Sequence, residues 1–394
     1  VFSVGINSSQ QAYPWSNFTL RDLTIESRPL WAVTNITDVT YNTNPLTTYK
    51  GAATYFAGSA PYSWTYNILI TNCQFLYGNY PILILATGVS NVLVRSCQFN
   101  MWGGSNTGFG NVAFFGQGIN FVVIENTFNG NANIPLTDLA ATNFSAVSTN
   151  PYYNTWGSPS GFVFFQEGGN FCVARNTILN NSLEGVQINA GPSAVVGNTF
   201  QTVISDGSCC ALALGGDPSG VSSEVNAIST CFIGNSVYGG RTGVEPQGTT
   251  FAYTLNCSGN SFTLYPPFDI AGGGDGVASV VYVNGCLAAN VCGNTLSNGG
   301  LGFKFSGANG NALILNNNFG AATFGGIGYT TPGDFLNTAQ IFGNSFNDGV
   351  TFHVQLTFSS SFGWFIEGNT NLNSASNSVP LFTDPLSSAA HISN

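Results

Sequence analysis

Charge is what this chain has least of. Its 394 residues include 7 Lys and Arg, 17 Asp and Glu and 2 His, so 6% carry formal charge. An ordinary soluble domain has about 25%. With a net charge of −10, seven scattered cations cannot build the basic face that a nucleic-acid binder needs. A coiled coil or helical bundle is excluded too, because the Ala, Leu, Glu and Lys that build one are missing as a set. No run of about 18 apolar residues is present, so no membrane-spanning segment is expected. The nine cysteines include no Cys-x-x-Cys pair, which argues against a zinc ribbon or a thioredoxin-like site. Because nine is odd, at least one thiol stays unpaired within a monomer.

What is abundant is equally informative. There are 49 Gly, 47 Asn, 32 Phe, 15 Tyr and 6 Trp, and this much aromatic surface excludes a disordered chain. Val1 is not an initiator Met, and no basic segment with an apolar core opens the sequence. The expected form is a mature chain, extracellular or at a cell surface, after removal of a signal peptide. Six Asn-x-Ser/Thr sequons, at Asn7, Asn17, Asn35, Asn143, Asn180 and Asn256, are compatible with that location.

One internal repeat organises the chain. A (Gly/Asn)-Asn-x-Phe phrase recurs with its Asn at 198, 260, 317 and 344, and looser copies centre on Asn126, Asn176, Asn235, Asn294 and Asn369. Cys73 and Cys97 take the marker position in two earlier copies, and aligning Asn17–Ile25 with Asn91–Phe99 places Leu23 there in a third. From Cys73 onward the spacings are 24, 29, 50, 22, 37, 25, 34, 23, 27 and 25 residues. A short apolar run precedes each marker and an alternating run follows it after a Gly-containing turn, with no helical period. A period of 22–29 residues fits one turn of a three-sided coil of parallel strands. Copies of the marker then stack about 4.8 Å apart. In such a stack each Asn amide donates to one neighbour and accepts from the other, and the Phe two residues on stacks in the same way.

On this repeat, the Asn ladder and the Phe stacks, residues 14–375 resemble the right-handed parallel β-helix, or pectin-lyase-like, superfamily. The resemblance implies an all-β fold of about 11–13 coils in a single domain, 1–394. A lead segment is expected at 1–16, inserted loops at 27–63, 129–160, 201–208 with 216–226, and 263–275, and a last strand followed by an irregular tail at 376–394. Long loops on a rigid solenoid are where specificity is expected to lie.

The resemblance also implies chemistry to look for. Polygalacturonase-like members carry Asn-Thr-Asp, Asp-Asp, Gly-His-Gly and Arg-Ile-Lys, and none of these occurs here. Pectate-lyase-like members resemble one another in a cluster of Asp for calcium and an Arg or Lys base, whereas this chain has no adjacent carboxylates. Two constellations remain. Glu184 and Asp206 each lie eight residues after a marker, so consecutive coils stack them about 5 Å apart. Such a pair raises one pKa or binds a cation such as Ca2+, and it suits a retaining glycosidase, with Arg241 neutralising it from the next coil. The alternative reading is two turn carboxylates before Gly185 and Gly207. In the second constellation, aligned strand starts set Gln187, Leu212, Glu245, Val281, Lys304, Gly328 and His353 in one outward column. Glu245, Lys304 and His353 there form either a binding face or simply a solvated one. His391 in the tail has no visible partner and is expected to be exposed.

No metal site and no cofactor are expected. Three functions stay open: a structural protein whose product is the rod itself, a glycan-binding adhesin, and a polysaccharide lyase or glycoside hydrolase. The missing catalytic sets and the low charge favour the first. The expected partner is therefore a second copy, associating head-to-tail into filaments or a surface layer, with the Val1–Gly5 segment docking near Trp364–Leu372 of its neighbour. Glycans are the alternative partner. Cys73 and Cys97 are expected about 5 Å apart, as a stacked thiol pair rather than a disulfide, and one of Cys209 and Cys210 is free to reach a partner such as Cys231.

Overall fold

The computed structural model describes residues 2–4, 16–26, 52–57, 65–76, 80–85, 88–101, 112–130, 161–181, 184–202, 210–215, 228–240, 242–246, 253–264, 279–329, 334–347, 352–354, 363–371 and 391–393. Every regular element among them is a β-strand, and these strands pair in parallel. The fold is a parallel β-helix. Its contacts divide the chain into two compact units, Val1–Ser193 with Asn198–Asp206, and Ala194–Gly197 with Gly207–Asn394.

Each coil is built from three strands, which we number as first, second and third face. In the first unit the first face stacks Ser16–Arg21, Thr65–Thr71, Val89–Arg95 and the later parts of Val112–Ile124 and Gly161–Ala174. The second face stacks Thr24–Glu26, Gln74–Leu76, Gln98–Met101, Thr127–Gly130, Thr177–Asn181 and Thr199–Thr202. The third face runs from Phe2–Val4 through Ala52–Ala57 and Tyr80–Leu85 to Glu184–Ile188. The second unit repeats the plan. Its first face runs Ile228–Ile233, Tyr253–Ser258, Cys286–Cys292, Ala308–Leu315, Phe335–Phe342, Gly363–Glu367 and His391–Ser393.

The marker sits at the corner between first and second faces, and its hydrogen bonds explain why Asn recurs there. Asn176 Oδ1 accepts from the backbone N–H and the Nδ2 of Asn126 at 2.9 and 3.0 Å, while its own Nδ2 donates to Val123 O and to Asn198 Oδ1. The second unit continues this pattern from Asn235 through Asn260, Asn294, Asn317 and Asn344 to Asn369. One amide thus satisfies a buried N–H and a buried carbonyl at the same time, which a hydrocarbon side chain cannot do. The residue before each marker has positive φ, and that reversal turns the chain from one face to the next. Inside, Phe75, Phe99 and Phe128 form the expected stack, with centroids 4.9 and 4.7 Å apart. Fully burying each of these rings contributes roughly 1.5–3 kcal/mol.

The cysteine copies of the marker are free thiols. Cys97 Sγ donates to Ile70 O and Cys73 Sγ to Leu20 O, the same bond that Asn126 Nδ2 makes to Val94 O. Burial pushes the Cys97 thiol up to about 12. Leu23 also lies in the slot, because its carbonyl accepts from Gln74 N as Cys73 O does from Gln98 N.

Phe2–Val4, within the expected lead segment, pairs with Thr54–Phe56 of its own chain along one edge. Three expectations change. The 27–63 loop contains the strand Ala52–Ala57, which fills the third face of its coil. The tail contains the strand His391–Ser393, which sets His391 beside Phe365 in the sheet, because a first-face edge accepts any extended segment that reaches it. Cys210 and Cys231 are not joined by a disulfide: Cys210 lies in the third-face register with Thr242 and Cys231 in the first-face register with Asn256. Cys209 lies outside the described residues, as do most of 129–160, 203–208, 216–226 and 265–275.

Candidate functional site

Glu184 opens the strand Glu184–Ile188 opposite Gly161, and only 8% of it is exposed. Asp206 and Arg241, its expected partners, lie outside the described residues. The outward third-face column is partly regrouped. Glu245 is in register with Ala213, and Tyr282 lies between Val281, the partner of Val244, and Val283. Tyr282 pairs with Lys304, and Lys304 with Gly328. Glu245 and Lys304 therefore share a column as expected, with Tyr282 between them instead of Val281. Leu212 drops out because it pairs with Val244. His353 drops out as well, since Phe352 and Val354 pair with Gly325 and Ile327 and set it at the level of Gly326.

Lys304 belongs to the tertiary structure. Its Nζ sits 4.9 Å from the Tyr282 ring centroid, and the Tyr282 hydroxyl is 2.8 Å from Ser306 Oγ. At 6% exposure the ammonium is held against the ring rather than presented to solvent. In the first unit Glu125 lies between Arg95 and Arg175, at 2.8 and 2.9 Å. The hydrogen bonds from Arg175 and then Arg95 hold the Glu125 carboxyl below its ordinary value. Among the described residues no group of three or more His, Cys, Asp or Glu is placed to hold a metal ion.

A different site emerges on the first face of the second unit. Strand register places Ser229, Thr254, Ala288, Asn311 and Thr338 side by side in five successive coils. Cys231, Asn256, Asn290, Leu313 and Gln340 form the parallel column two residues further on. Together they line an open groove of ≈ 510 Å³. None of its lining residues is Asp, Glu, His, Lys or Arg.

Two amides in the groove are oriented by their neighbours. Asn290 Oδ1 accepts from Cys292 Sγ at 2.8 Å, and Asn311 Oδ1 accepts from Thr338 Oγ1 at 2.7 Å. Their Nδ2 groups are left as donors. Among the described residues the side chains of Ser229, Thr254, Asn256 and Gln340 make no hydrogen bond, and Asn256 Oδ1 is buried without a partner. Buried polar atoms are nearly always bonded, and Asn256 Oδ1 and Ser279 Oγ are the exceptions among the described residues.

Sequence reasoning missed the groove because Ser, Thr and Asn on the outer side of a strand look like an ordinary solvated face. The signal was nevertheless present. Asn256, Asn290, Leu313 and Gln340 each lie four residues before a marker, and Thr254, Asn311 and Thr338 six before. Comparison of the chain with family models, with curated proteins and with solved structures finds no match.

Proposed function

We propose that the chain is an extracellular or cell-surface solenoid that binds uncharged polysaccharide along the first face of its second unit. The observation that carries this reading is the groove itself: five coils of neutral hydroxyl and amide side chains, several with unused hydrogen-bonding capacity, and apolar steps at Ala288 and Leu313. Sugars present that same mixture of hydroxyls and C–H faces, and a site with few precisely placed polar groups over apolar surface suits them. The groove has no carboxylate among its lining residues, so the acid and base of a glycosidase have no counterpart there. Binding is therefore favoured over cleavage.

Native electrophoresis through gels containing neutral glucans, mannans or N-acetylated glycans tests it. The protein is expected to be retarded by at least one of them, equally at low and high salt, because no charge is involved. Unchanged mobility in every neutral polysaccharide would remove this reading.

Self-association is the second reading, favoured by the terminal strands. Phe2–Val4 pairs with Ala52–Ala57 and His391–Ser393 with Gly363–Glu367, and among the described residues the outer edge of each is unpaired. Continuation of the Asn ladder across such a joint is opposed by Leu23. Each rung's N–H donates to the amide oxygen of the next, as Asn344 does to Asn369, and Leu23 offers no such oxygen. Electron microscopy of concentrated protein, with rods of one length or filaments of many, separates the two readings.

A further inference from the structure

The two columns of the groove continue past Thr338 and Gln340. The strand Gly363–Glu367 adds a further coil to them, with Gly363 in register with Thr338 and Phe365 with Gln340. The column four residues before the marker therefore runs on from Leu313 through Gln340 to Phe365. Leu313 and Phe365 lie two coils apart, about 10 Å, with an amide side chain between them.

Phe365 is 48% exposed, whereas Phe303, Phe305 and Phe346 of the same unit are buried. One exposed ring is ordinary on a protein surface; position and footing single this one out. On either side of it along the strand, Trp364 and Ile366 are buried in the core, and Trp364 Nε1 donates to Leu336 O at 3.0 Å. These anchors fix the backbone that carries the ring. At the neighbouring outward position Gly363 has no side chain, and a Cβ built there would meet Thr338 Cγ2 at 2.7 Å. The strand thus sets no side chain of its own beside the ring on that flank.

We infer that the groove takes extended, β-1,4-linked neutral glycans, with Phe365 as the platform on which one sugar ring stacks. This inference rests on the groove being a glycan site. Pyranose rings joined through equatorial bonds form a straight ribbon, with C–H hydrogens on the ring faces and most hydroxyls along the edges. The negative face of the Phe365 ring attracts those partly positive hydrogens and covers apolar surface at the same time. The edge hydroxyls meet the Ser, Thr and Asn side chains of the two columns, which keep constant offsets from the marker and so meet a straight chain at every coil. An α-1,4-linked glucan has an axial bond at each linkage and winds away from such a column. It reaches the platform or the polar columns, but not both together.

The test measures binding of the full chain by calorimetry to three hexasaccharides: cellohexaose and mannohexaose, both β-1,4-linked, and α-1,4-linked maltohexaose. The wild type is expected to bind at least one β-linked hexamer at least tenfold more tightly than maltohexaose. Phe365→Tyr keeps a flat aromatic face and should keep that affinity. Phe365→Ala and Phe365→Leu remove the face, and each should lose at least tenfold while melting with the wild type, because the ring is half in water. Maltohexaose bound as tightly as both β-linked hexamers would overturn the inference and leave the glycan reading standing. Affinity that survives Phe365→Ala or Phe365→Leu would overturn the platform. No hexamer bound, although a polysaccharide gel retards the protein, would overturn the inference alone. No hexamer bound and unchanged mobility in every gel would overturn both.

Discussion

The two units use the same coil and fill its corners differently. Immediately before the marker the first unit has Asp22, Asn72, Ser96, Glu125 and Arg175, all at positive φ, whereas the second has Gly197, Gly234, Gly259, Gly293, Gly343 and Gly368, with Asn316 as the exception. A residue with a Cβ costs roughly 1–2 kcal/mol in that conformation. The first unit offsets the cost with bonds between coils: Asn72 Nδ2 donates to Asp22 Oδ1, and Arg95 and Arg175 both clasp Glu125. Six residues before the marker it carries a second, exposed ladder, Asn17–Asn67–Asn91–Asn120–Asn170, bonded at 3.0 to 3.1 Å. At that level the second unit has Ser229, Thr254, Ala288, Asn311 and Thr338. Four before the marker, Leu69, Leu93, Val122 and Cys172 in the first unit correspond to Cys231, Asn256, Asn290, Leu313 and Gln340 in the second. The first unit binds its polar side chains to one another; the second leaves several of them open. The proposed function reads that difference as holding in one unit and recognition in the other.

The largest effect is expected at the buried rungs. In the second unit Asn260→Leu strands the N–H of Asn235 and the carbonyl of Phe232, and takes one of their bonds from Asn235 Nδ2 and Asn294 Oδ1, which keep those to Val195 O and from the backbone N–H of residue 260. Leaving these unbonded should lower stability by about 3–5 kcal/mol. In the first unit Cys97→Ala removes only a weak thiol donor and a small volume, and should cost about 1–2 kcal/mol. Denaturant midpoints of the two variants measure the contrast. If both fall equally, the thiol rung is as strong as the amide rung, and the two units are held alike.

Much of this architecture was legible because the marker is a physical necessity. A buried corner needs one side chain that both donates and accepts, so Asn recurs and its spacing reveals the coil. Cys73, Cys97 and Leu23 were assigned to the slot from alignment alone, and the backbone bonds place them there. The third-face columns were harder to read. Counting forward from the marker crosses the corner between second and third faces, where pairing shifts between Leu179 and Asn181 and between Phe262 and Thr263. Lys304 lies ten residues after its marker and its register partner Gly328 eleven after its own. Aligning strand starts across that shift therefore misplaced His353. Counting backward crosses no such shift, which is why the groove columns keep constant offsets. The missing step was to ask which outward side chains had no partner, and only coordinates answer that.

An intermediate effect is expected from exchanging corner residues between the units. A Cβ built at Gly259 meets nothing within 4 Å, so Gly259→Ala isolates the cost of positive φ, about 1–2 kcal/mol. The reciprocal change in the first unit, Ser96→Gly, relieves a residue at φ 53. It should gain up to about 1 kcal/mol, less the flexibility glycine adds to the unfolded chain. Thermal unfolding of the pair provides the measurement. A loss on Ser96→Gly would mean that the first unit gains more from its corner side chains than backbone strain costs it.

The smallest effect concerns the charged corner of the first unit, where the comparison becomes a matter of pH. Arg175 and Arg95 hold the Glu125 carboxyl below its ordinary value, so the folded state binds that proton less readily than the unfolded chain does. The stabilisation is fully present above the ordinary glutamate pKa and disappears as pH falls through the lower folded value. It is also screened, since all three side chains are at least one-third exposed and salt shields exposed charges. Glu125→Gln should therefore behave like the wild type in strong acid and differ only above it, by a margin that shrinks in high salt. Hydrogen exchange resolved by segment makes the test specific. Protection around Val122–Thr127 and Val173–Thr177 should respond to pH and salt in the wild type and not in the variant, while Tyr253–Thr263 in the second unit responds in neither. An equal response in the two units would mean that the acid sensitivity of the chain comes from carboxylates elsewhere, and that the ion-paired corner is not what distinguishes its first half.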